Sequence, residues 1–79
     1  MSSLVIHKPV KAKEVWFLDK KLCVLLEDGR EIAVPLEWFP KLREASIEEL
    51  KAWRFIGGGV GIHWEELDED LSVEAFLNT

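Results

Sequence analysis

His63, Asp68 and Asp70 are the side chains of this 79-residue chain whose types and spacing best suit chemistry, and glycines at 57, 58, 59 and 61 stand just before them. An imidazole titrates near neutral pH, and a carboxylate such as Asp68 or Asp70 can hold it in place as a general base. A base needs a reaction to serve, and no serine or cysteine lies in a recognisable nucleophile motif. Cys23 sits in a strand-like apolar run and reads as a core residue, while Ser46 and Ser72 are placed to cap helices. His7 has no metal-ligand partner at close spacing. A structural or surface role for His63 is favoured, and no catalytic residue is assigned.

The glycine run invites comparison with a phosphate cradle, because successive backbone amides can ring an anion. A P-loop requires Lys-Ser/Thr and a helix directly after its last glycine, whereas Gly61 is followed by Ile62, His63 and Trp64 and then by acids that repel phosphate. The dinucleotide fingerprint would need a third glycine where Trp64 stands. A turn or close-packing loop is the better account. Asp68, Asp70 and Ser72 follow the alternation of a calcium loop, but its sharp-turn glycine would fall at Val73 and its closing glutamate at Thr79. Solvated acids at a helix start explain them more simply, so no metal and no cofactor is expected.

Those residues need elements to position them. Asp28-Gly29 is a signal for a two-residue type I′ hairpin, which pairs Leu25 with Ile32 and Cys23 with Val34 on the face expected to be core. The strand before it, Lys13 to Leu18, turns through Asp19, Lys20 and Lys21. A three-residue loop there puts Val15 and Phe17 with Cys23 and Leu25, and Trp16 and Leu18 with Leu22 and Val24. That second face is too apolar to be wholly wet, so a helix or another subunit should cover part of it. Pro35 ends the third strand. Pro40 excludes Phe39 from helical geometry, leaving Leu36 to Pro40 as a turn that presents Trp38 and Phe39.

Ser46-Ile47-Glu48-Glu49 has the form of a capping box, and Ile47, Leu50 and Trp53 then share a helical face. Arg54 to Ile56 and Ile62 to Trp64 read as short strands across the glycine loop. Ser72 opens a last helix, with Leu71 and Phe76 as a hydrophobic staple and Glu74 in its first turn. The expectation is one small α+β domain over residues 1–79, built as an antiparallel β-meander, a capped helix, two short strands across a glycine-rich loop and a C-terminal helix. The tryptophans at 16, 38, 53 and 64 could form an aromatic site for a cation or flat ligand. Alternation and helical phase assign most of them to core or subunit contacts instead, with Trp38 the best candidate for an interface anchor.

Three stretches, EDGREIAVPLEWFP at 27–40, WRFIGGGVGIHW at 53–64 and LDEDLSVEAFL at 67–77, make the chain resemble an uncharacterised bacterial family, domain of unknown function 2442. The resemblance runs from Ala12 to Leu77. It implies a small protein without an assigned activity, in a family some of whose members look like neighbours of toxin–antitoxin-type genes. It supplies no catalytic residues to carry over.

Composition narrows the function classes. Forty-eight per cent hydrophobic and 32% charged residues suit a soluble globular protein. A domain this small buries only about 60% of its unfolded-chain surface, so self-association would help it. One cysteine excludes an internal disulfide and points to a reducing cytoplasm. The run Leu4, Val5, Ile6 is too short for a signal-peptide core, and no later stretch could span a membrane. Net charge is −5, and it is bipolar: residues 1–21 hold five lysines against two acids, residues 65–79 six acids and no base. The acidic end disfavours nucleic acid, whose phosphates need a basic field.

The expected function is therefore a cytoplasmic interaction module rather than an enzyme. It would self-associate or dock a protein partner, with Trp38, Phe39, Trp64, Asp68 and Asp70 as contact candidates. An antitoxin-like role is what the resemblance permits, although no helix-turn-helix or basic arm is present. The alternative is a ligand-binding or catalytic domain using His63, the Gly57 to Gly61 loop and Asp68 with Asp70.

Overall fold

A computed structural model describes residues 10–78. The Leu4, Val5 and Ile6 run, His7 and Thr79 lie outside the described residues. The chain is α+β, with two three-stranded antiparallel sheets in the orders β1-β2-β3 and β4-β5-β6. The first holds β1 (Ala12–Leu18), β2 (Lys21–Leu26) and β3 (Glu31–Pro35); the second holds β4 (Trp53–Ile56), β5 (Gly61–Trp64) and β6 (Glu69–Ser72). Between them lie a 3-10 turn at Leu36–Trp38 and two one-turn helices, α1 (Pro40–Arg43) and α2 (Ile47–Lys51). A 3-10 helix, Val73–Asn78, follows β6.

Both hairpins of the first sheet differ by one residue from the sequence expectation. Asp19 and Lys20 have φ of 52° and 62°, so the type I′ geometry belongs to this pair and β1 meets β2 across a two-residue turn. The Lys20 carbonyl accepts the Leu36 amide at 3.0 Å, a tertiary bond that holds a left-handed turn lacking glycine. At Asp28-Gly29 only Gly29 takes positive φ, and the Leu26 amide closes onto the Arg30 carbonyl around three residues. The Asp28 carboxylate accepts the Arg30 amide and guanidinium, at 3.0 and 2.8 Å, and these bonds hold its pKa below the usual value.

Because side chains alternate, a one-residue shift exchanges the two faces of a strand. The pairs are Leu22 with Val34 and Val24 with Ile32, and Phe17 and Val15 sit opposite Leu22 and Val24 from β1. Leu22, Val24, Leu26 and Val34 are buried in the core. The face bearing Cys23 and Leu25, expected to be the core, points outward, and Trp16 and Leu18 join it.

The capping box at α2 is present in full: the Glu49 amide donates to Ser46 Oγ at 3.1 Å, and Glu49 Oε1 accepts the Ser46 amide at 2.9 Å. The helix ends at Lys51, so Ile47, Leu50 and Trp53 do not share a helical face. Leu50 is buried, Ile47 is exposed, and Trp53 belongs to β4 opposite Trp64. The expected strands flanking the glycine loop are β4 and β5. A third strand, β6, occupies Glu69–Ser72, where acids had suggested a helix start, and the terminal helix is of the tighter 3-10 type. Phe39 is extended before Pro40, with φ −125° and ψ 95°, as the proline requires.

Residues from both sheets, α1, α2 and the last 3-10 helix meet in one hydrophobic cluster. Trp64 lies at its centre, fully buried, and its indole Nε1–H donates to the Leu50 carbonyl at 2.9 Å. The final carbonyls of a helix have no intrahelical donor, so the indole supplies one from across the core. Val73 and Phe76 close the same cluster.

Candidate functional site

Antiparallel register sets Arg54, His63 and Asp70 side by side across β4, β5 and β6. His63 Nδ1 contacts Asp70 Oδ1, and its Nε2 lies 3.3 Å from Glu65 Oε1. The same Glu65 oxygen accepts from the Arg54 guanidinium at 3.3 Å. The His63 side chain is 16% exposed, while the three charged groups around it are largely in solvent. Of the two carboxylates weighed as partners for His63, Asp70 is the one in contact with it. Both ring nitrogens face carboxylates on opposite sides of the ring, which leaves neither aimed at a substrate. An open cleft of about 400 Å³ lies next to this row, and Asp70 and Ser72 reach its wall while His63 does not.

Asp68 goes elsewhere. It closes the β5–β6 turn with φ 51°, its amide donating to the Glu65 carbonyl at 3.3 Å, and its own carbonyl accepts Lys41 Nζ at 3.0 Å. Asp68 and Asp70 therefore do not converge. Among the described residues no group of three or more His, Cys, Asp and Glu side chains is placed to hold a metal ion. Millimolar calcium or magnesium is expected to leave the melting temperature unchanged, and Asp70→Asn to alter stability by less than about 1 kcal/mol, as for an exposed ion pair. Thermal melts with each ion and with a chelator check this. A saturable increase lost in Asp68→Asn would reverse the conclusion, because a ligand bound only by the folded state raises its stability.

The glycine loop joins the sheets. Gly59 donates to the Ile56 carbonyl at 3.2 Å and accepts the Ala12 amide at 2.8 Å, and the Val60 carbonyl accepts the Val73 amide at 2.9 Å. Gly57, Gly58 and Gly59 all have positive φ. With Gly59 engaged through both polar groups, this glycine forms a seam between the sheets and its amide is not free to cradle an anion.

The contact candidates also separate. Trp64 is core and unavailable to a partner. Phe39 is half-buried, its ring edge-on to Phe76 at 6.1 Å. Trp38 is 53% exposed at the end of its 3-10 turn, and the Lys41–Asp68 bond brings the acidic β5–β6 turn to this segment. Beside it runs a groove of about 490 Å³ between the β1–β2 hairpin and the helical segment, with Leu18 and Ile47, 59% and 68% exposed, on its wall. Leu36, Leu42 and Leu50 also line it, and its charged residues are Asp19, Lys20, Glu37 and Arg43, two of each sign. Sequence reasoning missed Leu18 and Ile47 as surface features. The signal for Ile47 was its place directly after the cap of a helix too short to turn it inward.

Two antiparallel three-stranded meanders joined through short helices, with an apolar groove and no convergent catalytic set among the described residues, define a small α+β domain. The chain belongs to the family described as Protein of unknown function (DUF2442), whose model matches residues 12–79. It is similar to the crystal structure of a protein of unknown function from Rhodospirillum rubrum ATCC 11170, at 32% identity and a TM-score of 0.78, covering 90% of this chain and 88% of that one. It also resembles the solution NMR structure of uncharacterized protein CV0863 from Chromobacterium violaceum, at 21% identity and a TM-score of 0.73. That likeness concerns the fold alone, and it covers 86% of this chain and 64% of the other. No curated protein matches the chain. No helix among the described residues is long and apolar enough to cross a membrane.

Proposed function

We propose that this chain is a cytoplasmic protein-interaction module that docks an apolar, basic-flanked segment of a partner along the groove beside Trp38. The observation that carries the reading is a groove walled by Leu18 and Ile47, each more than half exposed, with Trp38, also more than half exposed, directly following its lining residue Glu37. Large apolar side chains around a concavity favour a docked segment, and a partly exposed tryptophan beside it suits an anchor. The acidic β5–β6 turn, held close by Lys41, favours basic residues in that segment. An antitoxin-like role is one form of this function, in which the docked partner is the protein to be silenced. A catalytic role is less well supported, because His63 is enclosed by carboxylates and Gly59 is engaged in the sheet seam through both of its polar groups.

The test is capture of partners from the native cell, followed by titration of each purified candidate against the wild type, Trp38→Ala and Ile47→Glu. A true partner loses about tenfold or more in affinity with either variant, the loss typical of a central anchor. Equal affinity for all three proteins, or the absence of any candidate that binds when purified, would overturn the proposal.

A further inference from the structure

The outward face of the first sheet is a second surface, which meets the groove at Leu18. Its register lays out three rows: Glu14, Leu25 and Glu31 at one end, Trp16, Cys23 and Ala33 in the middle, and Leu18, Lys21 and Pro35 at the other end. Trp16, Leu25 and Ala33 take no part in the hydrophobic core, which occupies the opposite face. Trp16 and Leu25 are half-buried, and Ala33 is exposed. Cys23 is 8% exposed at the centre of the patch. Burial pushes its thiol pKa up, Lys21 and a hydrogen bond with the Leu18 backbone pull it down, and Glu31 and Asp19 add to the rise. The face is thus an apolar strip with two carboxylates at one end and one ammonium at the other.

That charge pattern selects the occupant. A two-fold axis in the plane of the sheet and parallel to the strands would stack carboxylates on carboxylates. An axis along the middle row reverses the strands, setting Trp16 over Trp16 and the carboxylate end of one copy over the lysine end of the next. Stacked sheets lie about 10 Å apart and neighbouring strands about 4.8 Å, spacings that a lysine and two glutamates span. Such a contact uses the same patch twice, which is the form of a closed dimer. We propose that this chain forms a two-fold dimer by stacking the outward faces of two β1–β3 meanders, with Lys21 of each copy reaching between Glu14 and Glu31 of the other. The proposal shares Leu18 with the groove but does not rest on it: Trp16, Lys21, Glu14 and Glu31 line no part of the groove, and Trp38 and Ile47 lie outside this face.

Sedimentation equilibrium of the full chain, from micromolar to hundreds of micromolar, tests it. The wild type is expected to show a monomer–dimer equilibrium that weakens with salt. Lys21→Glu, which opposes like charges, should weaken the dimer about tenfold or more, and Trp16→Glu should abolish it. Combining Lys21→Glu with Glu14→Lys and Glu31→Lys should restore it, because the triple reversal recreates the pattern with opposite sign. These side chains point away from the core, and circular dichroism with thermal melts checks that each variant folds. A wild type that stays monomeric throughout overturns the proposal. So does a dimer indifferent to Lys21→Glu, or one that the triple reversal fails to recover.

Discussion

Trp64→Ala is expected to lower stability by about 3–5 kcal/mol, the cost typical of removing a large aromatic side chain from a close-packed interior. Trp64 is fully buried at the junction of β5 with α2, and no neighbour can collapse into so large a space without displacing the core. The loss also strips the Leu50 carbonyl of its indole donor. A domain of this length has a total stability of roughly 4–12 kcal/mol, so the variant should be partly or wholly unfolded at 37 °C. Trp64→Phe separates the two contributions: it retains most of the ring but not the N–H, and should cost about 1–3 kcal/mol for the carbonyl alone plus some loss of packing. Urea titration followed by circular dichroism measures both, and an unchanged midpoint in Trp64→Phe would mean that the buried bond has no energetic weight.

Gly59→Val should be the most damaging change in the glycine loop, at about 2–4 kcal/mol. The backbone there has φ +115°, a conformation that side chains bearing a Cβ rarely adopt, and a Cβ would stand 2.6 Å from the Ala12 carbonyl oxygen. Relief requires the backbone of β1 to move, breaking the Ala12-to-Gly59 bond at the seam. Gly58 has φ +70° with open space around it, so valine there incurs only the conformational cost of roughly 1–2 kcal/mol. Denaturant midpoints should therefore fall in the order wild type, Gly58→Val, Gly59→Val. Equal midpoints for the two variants would show that close approach to β1 does not matter.

Features encoded by neighbouring residues were legible in the sequence. Ser46 and Glu49 are three positions apart, and their reciprocal bonds depend on nothing outside that turn. The extended Phe39 follows from the proline after it, and the β4 and β5 strands follow from apolar runs on either side of four glycines. Hairpin register was not legible, because Asp-Gly serves a two-residue turn and a three-residue loop equally well. The choice is made by contacts outside the turn, among them the bond from Leu36 to the Lys20 carbonyl. Strand β6 was hidden for a related reason: Glu69 and Asp70 are poor strand formers, and their extended conformation comes from pairing with β5. The partnership of His63 with Asp70 was readable as a possibility, but the divergence of Asp68 depended on a turn whose geometry only the folded chain defines.

Among the described residues each strand pairs only with its sequence neighbours, which bears on how the chain reaches this shape. Every ladder in both sheets closes a short loop, so little chain entropy is lost before each pairing is rewarded, and folding of such topologies is fast. During synthesis the first meander can emerge and pair while the second is still on the ribosome. Its inner face, with Leu22, Val24 and Leu26, then has only Leu42 and Leu50 of the short helices to cover it until Ile62, Trp64, Val73 and Phe76 arrive. Stability must therefore come late and all at once, when the last third of the chain docks. A truncation before β5 would leave a paired but partly covered sheet, a natural substrate for chaperones and proteases.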